Sequence, residues 1–441
     1  MSESSAKTSS SEQLGGHRAP SNSSGAPVVT ATVPTTIGES LAAYRGRVRS
    51  GELGSLPAVL GIALLIVIFG VAKPDLLHAS SIGSLLQESA APITLAMGLV
   101  FVLLLGEIDL SAGVVGAAAS AFGVLWTAHH NMPWYICVIA AVAFGTVAGT
   151  LLGWLRARLG IPSFVVTLAA FISFQGIQIF ITGNSGGLST QNQTVLVNLI
   201  YGTLSRVDGW IALAVFVIGF GVVKYFQRAD RVKQELAVEP LSLFGIRLLA
   251  IAIAGGVFVY LCNLNELAPW QIARGLYQGG VPWLVPIIVV LGVILTFVLG
   301  KTRYGRHIYA VGGNTEAARR AGIPVRLIRT SVFSICSALA AVSGLFAASQ
   351  QNAATDNQGL GNTLLLGVAA AVVGGTSLAG GRGRVVDAIL GGLALSILAF
   401  GMSDLLSSGN NTQYEDIITG VVLLIAAGVD ATSRHAGRAS S

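Results

Sequence analysis

The chain has 441 residues, of which 53% are hydrophobic and only 10% are charged. So few charges cannot keep a globule of this size dispersed in water, so the composition excludes a soluble protein and predicts an all-α, polytopic membrane protein. The net charge is +6, but no basic patch interleaved with aromatic residues accompanies it, and no nucleic-acid partner is expected.

The chain begins with a segment that is unlike the rest. Residues 1–40 are rich in Ser, Thr, Gly, Pro and Ala and lack apolar periodicity, so residues 1–52 are expected to form a disordered cytoplasmic tail. Residues 53–430 are expected to form the transmembrane domain, and residues 431–441 a second cytoplasmic tail.

Runs of about 20 apolar residues predict membrane-spanning helices. Twelve candidate runs occur, at 56–72, 82–105, 110–128, 134–155, 163–182, 208–224, 248–263, 281–300, 327–349, 362–380, 385–404 and 414–430. The first, sixth, seventh and twelfth are short. About 10–12 transmembrane helices are therefore expected, with one or two of the runs re-entrant.

The positive charges are distributed unevenly between the two sides of the predicted membrane. With the N-terminus in the cytoplasm, 23 of the 26 Lys and Arg residues fall on the cytoplasmic side, and only Lys73, Arg206 and Arg274 fall outside. This asymmetry follows the positive-inside rule and predicts that both termini are cytoplasmic.

The segment 106–113 (GEIDLSAG) places two carboxylates between spans, with a glycine at each end. One interpretation is a polar turn that joins two helices. The other is that Asp109 and Ser111 cap the next helix and that the break, with Glu107, lines a substrate path. Charge near membrane depth is costly, so some role is expected.

Polar and aromatic side chains within the span 163–182 extend this candidate path. Hydroxyl-rich ligands need amides, carboxylates and aromatic faces to replace their water. Phe164, Thr167, Phe171 and Gln175 offer such groups, although each is also explained by a hydrogen bond or packing between helices. Neither a metal site nor a catalytic centre is predicted, because no suitably spaced Cys, His or acidic cluster occurs.

The loop 301–326 carries six Lys or Arg residues between two spans. Within it, residues 315–321 predict a short helix, because Asn314 can cap its start, Gly322 can form the left-handed turn that ends it, and Pro324 prevents its resumption. Seven residues rise only about 10 Å. Such a helix is too short to span a membrane, but it could dock on a soluble partner and transmit its movement.

Several segments together resemble the sugar branch of bacterial ABC importer permeases, in the same order, over about residues 56–430. They are 106–113, 161–168 (IPSFVVTL), 305–323 (GRHIYAVGGNTEAARRAGI) and the glycine-rich stretch 369–383. The resemblance implies a type II-like permease fold for 53–430 and makes 301–326 the cytoplasmic coupling loop. It also implies that the chain is no enzyme and has no cofactor, because a separate ATP-binding cassette subunit would bind and hydrolyse ATP.

By the same resemblance, the helix 315–321 would lie in a groove of that ATP-binding subunit. The residues expected in this contact are Asn314, Glu316, Ala317, Ala318, Arg319, Arg320 and Gly322. The other implied partners are an extracytoplasmic sugar-binding protein, a second permease copy in a homodimer, and membrane lipid. The implied location is the cytoplasmic membrane of a bacterium, where ATP-driven closure would rock two permease subunits between inward-open and outward-open states.

The predicted substrate rests on the length of the chain and on an insertion. Residues 225–280, a charged linker plus an extra span, make the chain more similar to xylose-type than to the shorter ribose-type permeases, so D-xylose or a related pentose is expected. One departure from the family pattern is that Leu365 and Gly367 occupy two positions that are acidic in many members.

Two other function classes remain open at this point. A proton-driven secondary sugar transporter would also suit twelve spans with both termini inside, although the chain shows no clear internal repeat. A membrane-embedded enzyme is disfavoured because no nucleophile or acid–base cluster lies within the spans.

Overall fold

A computed structural model describes residues 56–74, 78–130, 132–183, 186–234, 238, 241–264, 279–360 and 362–405, together with 417, 418, 420, 421 and 424. The predicted tails 1–52 and 431–441 lie outside these residues. So do the segment 265–278 of the predicted insertion and most of the predicted span 414–430.

The described residues form fourteen helices and two short strands. In chain order they are α1 (Leu56–Ala72), α2 (Ala79–Leu104), α3 (Ala112–His130), α4 (Trp134–Leu159), α5 (Ser163–Thr182), β1 (Gly187–Ser189), α6 (Thr194–Tyr201), α7 (Arg206–Lys233), α8 (Leu241–Cys262), α9 (Leu284–Lys301), α10 (Arg303–Gly313), α11 (Thr315–Arg320), α12 (Val325–Gln350), β2 (Ala353–Thr355), α13 (Asn362–Val373) and α14 (Val385–Leu405).

Nine of the described helices are long and apolar enough to cross a membrane: α2, α3, α4, α5, α7, α8, α9, α12 and α14. Two shorter apolar helices, α1 and α13, accompany them. The predicted runs 56–72 and 163–182 coincide with α1 and α5. The prediction of an all-α, polytopic membrane protein is confirmed.

The centre of the bundle is α12, which packs against α2, α3 and α4. The contact with α4 depends on Gly145, Gly149 and Gly153, which lie four residues apart on one face. A Cβ at any of the three would crowd the α12 backbone, and at Gly149 it would collide with the carbonyl oxygen of Phe333. This glycine stripe allows two helix backbones to approach closely in lipid.

The region after residue 225 differs from the charged linker that was predicted at the start of the insertion 225–280. Helix α7 continues to Lys233, and α8 begins at Leu241, so the connection is short. The residues after 225 include Gln, Arg, Ala and Lys, which favour helix, and their charges let the helix extend beyond the apolar layer. The described part of the insertion is therefore a peripheral helix pair.

The run 362–380 was expected to be a full span, and this expectation is wrong. Helix α13 ends at Val373 after 12 residues, a rise of only about 18 Å. The chain then turns at Gly375, Gly380, Gly381 and Gly383, all of which have positive φ. These glycines adopt backbone conformations that interrupt the helix.

The two ends of the bundle differ in structure and charge. One end, called the basic end below, carries α10 and α11 together with Arg156, Arg329 and Arg384. The opposite end, called the strand end, carries α6 and the antiparallel pair β1–β2, in which Leu188 lies opposite Ala354. This strand pair was not predicted, because strands of three residues give no clear periodic signal.

Candidate functional site

Helix α11 has the two ends that the sequence predicted. The side-chain oxygen of Asn314 accepts a hydrogen bond from the backbone N–H of Ala317 at 2.9 Å. At the other end Gly322 has φ +80°, and the N–H of Ile323 donates to the carbonyl of Ala318 at 3.1 Å. This pattern is a Schellman motif, which satisfies carbonyl groups that would otherwise lack partners.

The outer face of α11 is exposed and carries both charge signs. Glu316 pairs with Arg319 at 3.1 Å and with Arg320 at 3.5 Å, and all three side chains are more than half exposed. Exposed pairs of this kind contribute only about 0–1 kcal/mol. These side chains can therefore exchange their partners for groups on another protein at little energetic cost.

Among the seven predicted coupling residues, Ala318 has a different environment from the others. Its side chain is 4% exposed and packs into the core of the bundle. Asn314, Ala317 and Gly322 are exposed, like the charged residues of α11. The structure therefore assigns Ala318 to anchoring the helix, while the other predicted residues lie on its free surface.

Helix α10 connects α11 to the rest of the bundle. Tyr309 donates its phenolic hydrogen to the carbonyl of Gly383 at 2.7 Å. Burial raises the pKa of the Tyr309 phenol, which keeps it protonated as a donor. Gly312 lies directly against the carbonyl of Leu104, which also accepts a hydrogen bond from the N–H of Gly381 at 2.8 Å. The end of α2, the helix α10 and the glycine turn 374–384 thus meet at one point.

Glu107 joins three segments at the basic end. Its Oε1 atom accepts a hydrogen bond from Nε of Arg156 at 3.1 Å and lies 3.0 Å from Nε of Arg329. The glutamate is 5% exposed, and the two arginine side chains are 19% and 21% exposed. Its second oxygen, Oε2, is buried without a hydrogen-bond partner. The ion pairs tie the α2–α3 loop to the end of α4 and the start of α12.

Asp109 and Ser111 are fully buried beside the start of α3. Asp109 Oδ1 accepts hydrogen bonds from the Ser111 N–H at 2.9 Å and from its hydroxyl at 2.6 Å. Burial raises the pKa of the Asp109 carboxyl above its ordinary value, and the bonds from Ser111 offset part of this rise. The Asp109 carboxylate thus holds the residue that precedes α3, while the capping role and the role in a substrate path both stay predictions.

The four candidate residues on α5 do not share one environment. Phe164 is 57% exposed, and Phe171 and Gln175 are half-buried. Thr167 is fully buried, and its hydroxyl donates to the carbonyl of Ser163 at 3.0 Å. All four residues lie on one face of α5, because they follow one another at steps of three, four and four residues. Phe164, Phe171 and Gln175 form a stripe along the partly exposed edge of that face, and no described hydrogen bond or ion pair joins this stripe to the Asp109 turn.

Two buried glutamines were missed by the sequence reasoning. Gln178, one turn beyond Gln175, donates to the carbonyls of Thr355 and Gln358 at 2.7 and 2.9 Å. Gln358 donates in turn to the carbonyl of Gly344 at 2.6 Å. The amide oxygens of both glutamines are buried without partners. A side-chain amide within a membrane span was the signal that could have identified Gln178.

A small cavity lies beside Gln358 in the interior of the bundle. Its volume is about 10 Å³, and its lining includes Ser343, Gln358 and Thr363. A space of this size holds about one water molecule. None of the seven predicted substrate-path residues lines it. This cavity is therefore too small for a sugar in the conformation described.

Comparisons with known proteins agree with this architecture. A family model described as the permease component of branched-chain amino acid transport systems matches residues 81–427. The chain is 33% identical over 391 residues to a xylose transport system permease protein of Haemophilus influenzae, covering 88% of this chain and 99% of the relative. No solved structure gives a significant match.

Two relatives from Escherichia coli K12 cover similar parts of the chain. A xylose transport system permease protein is 31% identical over 378 residues, which are 85% of this chain and 90% of the relative. A ribose import permease protein is 28% identical over 378 residues, which are 85% of this chain and 92% of the relative. All three relatives are named as transport permeases and not as enzymes.

Proposed function

This chain belongs to the family of permease components of branched-chain amino acid transport systems, and from that premise we propose that it is the membrane subunit of an ATP-binding cassette importer for a monosaccharide. The printed names of its relatives support a sugar, and the greater identity to xylose permeases favours D-xylose or a related pentose over ribose. ATP would be bound and hydrolysed by a separate subunit.

The observation that carries this proposal is the structure of α11. It is a short, capped helix with an exposed charged face, and it is held to the bundle by the buried side chain of Ala318. A helix that is fixed on one side and free on the other can bind a partner and pass on its displacement. We infer that the free face docks on the ATP-binding subunit.

The contacts around α10 and α11 suggest how such a displacement would travel. Tyr309 would carry it to the glycine turn at Gly383, and Gly312 would carry it to the end of α2 at Leu104. Helix α12 begins only five residues after α11 and is tied to the α2–α3 loop by Arg329 and Glu107. Movement of α11 would therefore reach both α2 and the central helix α12.

The substrate path would form between two copies of the chain. The stripe of Phe164, Phe171 and Gln175 is partly exposed in a single chain, and α5 has one of the most exposed surfaces among the spans. Aromatic and amide groups on such a face suit a hydroxyl-rich ligand once a second copy encloses them. Thr167 lies on the same face but is buried within its own chain, and the buried Asp109 and Ser111 would support the path from the α2–α3 loop.

The two ends of the bundle suggest the positions of the other partners. The basic end carries α11 and the clustered arginines, so it would face the cytoplasm and both termini would lie there. The strand end, formed by β1, β2 and α6, would face outward and receive an extracytoplasmic sugar-binding protein. The proposed location is the cytoplasmic membrane of a bacterium.

The test is ATP-driven uptake of radiolabelled xylose by proteoliposomes that contain the chain, its ATP-binding subunit and its binding protein. Glu316→Lys should abolish uptake without loss of folded protein, because it replaces the one acidic group on the α11 face with a third cation. The matched control is Asp230→Lys, at an exposed position of α7, also near the basic end. Normal uptake by Glu316→Lys at normal expression would rule out coupling through α11.

The same vesicles separate this proposal from a proton-driven carrier. An importer of the proposed kind needs ATP and is insensitive to an uncoupler, whereas a carrier transports sugar under a proton gradient without ATP. Uphill transport by the purified chain alone would contradict the proposal. Ribose and a branched-chain amino acid serve as competing substrates that test the predicted preference for xylose.

A further inference from the structure

A recess lies on the outside of the bundle between α7, α8 and α9, and we call it the lateral groove. Its volume is about 650 Å³. Its walls are entirely apolar and include Phe216, Phe220, Gly255, Val290 and Ile294. The volume falls within the range of about 300–1,000 Å³ that is typical of small-molecule sites.

The groove exists because the α7–α8 pair is joined loosely to the rest of the bundle. Helix α7 packs along α8, and near its start Gly209 lies against Val281. Further along, a Cβ at Gly219 would meet no atom within 4 Å from the described residues outside its own turn of helix. An unfilled gap of this size loses dispersion contacts along its walls, so in a membrane it will be occupied.

Basic side chains stand where the groove walls approach the basic end. On α7, Lys224 and Arg228 follow Phe220 at four-residue steps, and on α9, Lys301 follows Ile294 seven residues later; both spacings keep one helical face. The Lys224 ammonium lies 5.7 Å from the centroid of the Phe220 ring, which lines the groove. The cations therefore continue the two apolar walls.

These cations lack acidic partners within the described part of the chain. The ion pairs found there do not include Lys224, Arg228 or Lys301. Both helices rise about 1.5 Å per residue from the level of the Gly209–Val281 contact, which places Arg228 and Lys301 at similar depth. Clustered cations beside membrane helices bind anionic lipid headgroups.

We propose that the lateral groove binds one anionic phospholipid, with its acyl chains on the apolar walls and its phosphate held by Lys224, Arg228 and Lys301. The lipid fills the gap and fixes the α7–α8 pair to α9. A helix from a second copy would cover the walls but leave the three cations without counter-charges. The site does not depend on the substrate or on the energy source proposed above.

The test is native mass spectrometry of the delipidated full-length protein, titrated with phosphatidylglycerol or with phosphatidylcholine. Wild-type protein is expected to retain phosphatidylglycerol about tenfold more strongly, because several cations contribute to the contact. The triple variant Lys224→Gln, Arg228→Gln, Lys301→Gln should lose this preference. Gly219→Phe should block retention of both lipids, whereas Gly176→Phe, at an open position on α5, should not.

Equal retention of the two lipids by wild-type protein, or retention unchanged in the triple variant, overturns the proposal. The triple variant alters surface side chains only, so it remains informative even where Gly219→Phe fails to fold. A shift in the monomer–dimer ratio in both groove variants, with lipid retention unchanged, would identify the groove as a protein interface and also overturn the lipid assignment.

Discussion

Arg329, near the start of α12, places its Nε atom 3.0 Å from Oε1 of Glu107 in the loop between α2 and α3. The contact joins residues 222 positions apart and lies close to α11. We expect Glu107→Gln to lower the free energy of unfolding by about 3 kcal/mol, because the loss of one partner leaves two largely buried arginines uncompensated. Denaturation of the detergent-solubilised protein by SDS, followed by tryptophan fluorescence, measures this change.

The chain provides a matched control for this variant. Glu316 also contacts two arginines, but all three side chains are exposed. We expect Glu316→Gln to change stability by less than about 0.5 kcal/mol, because exposed pairs contribute little. Equal losses in the two variants would show that burial of the Glu107 contacts does not determine their energy.

Gly322 ends α11 with φ +80°, a conformation that strains residues with a Cβ. We expect Gly322→Ala to destabilise this turn locally by about 1 kcal/mol and to reduce ATP-driven uptake while the bundle stays folded. Gly313→Ala is the control, because both positions have open space but only Gly322 has a positive φ. Hydrogen exchange of the α11 amides measures the local effect, and equal exchange in both variants would contradict the role of the turn.

The sequence predicted those features that depend on neighbouring residues. The cap at Asn314 and the turn at Gly322 follow from local backbone rules, and the structure contains both. The contacts of Glu107 with Arg156 and Arg329 could not be predicted, because they join segments far apart in the chain.

The two errors in the helix boundaries arise because those predictions relied on hydropathy alone. The apolar run 362–380 gave no measure of how strongly its glycines turn the chain, and the charges after residue 225 resembled a linker although they continue α7. The residues of the candidate substrate path lie in two places, the buried turn at Asp109 and the partly exposed stripe on α5. A single chain does not contain the partner that would enclose the stripe.

The packing of α4 on α12 leads to a prediction about size at position 149. A Cβ on Gly149 would collide with backbone and side-chain atoms of α12. We expect Gly149→Ala to lower the free energy of unfolding by about 1–3 kcal/mol, because the central helices must separate. Gly176→Ala, on α5, places its Cβ in open space and should leave stability unchanged or slightly raised. Similar melting temperatures for the two variants would contradict close packing at Gly149.

Asp109 leads to a prediction about pH. Because burial raises the pKa of its carboxyl, the folded state binds the proton more tightly than the unfolded state. This contribution to stability is therefore complete below the ordinary Asp pKa of 3.8, falls as the pH rises toward the raised value, and is lost above it. Asp109→Asn keeps an oxygen that can accept the bonds from Ser111 but cannot titrate. We expect the melting temperature of Asp109→Asn to fall less than that of the wild-type protein as the pH rises from 4 to the raised pKa. Melting curves in detergent across pH 4–8 measure this difference. Identical profiles for the two proteins would show that Asp109 has the same pKa in the folded and unfolded states.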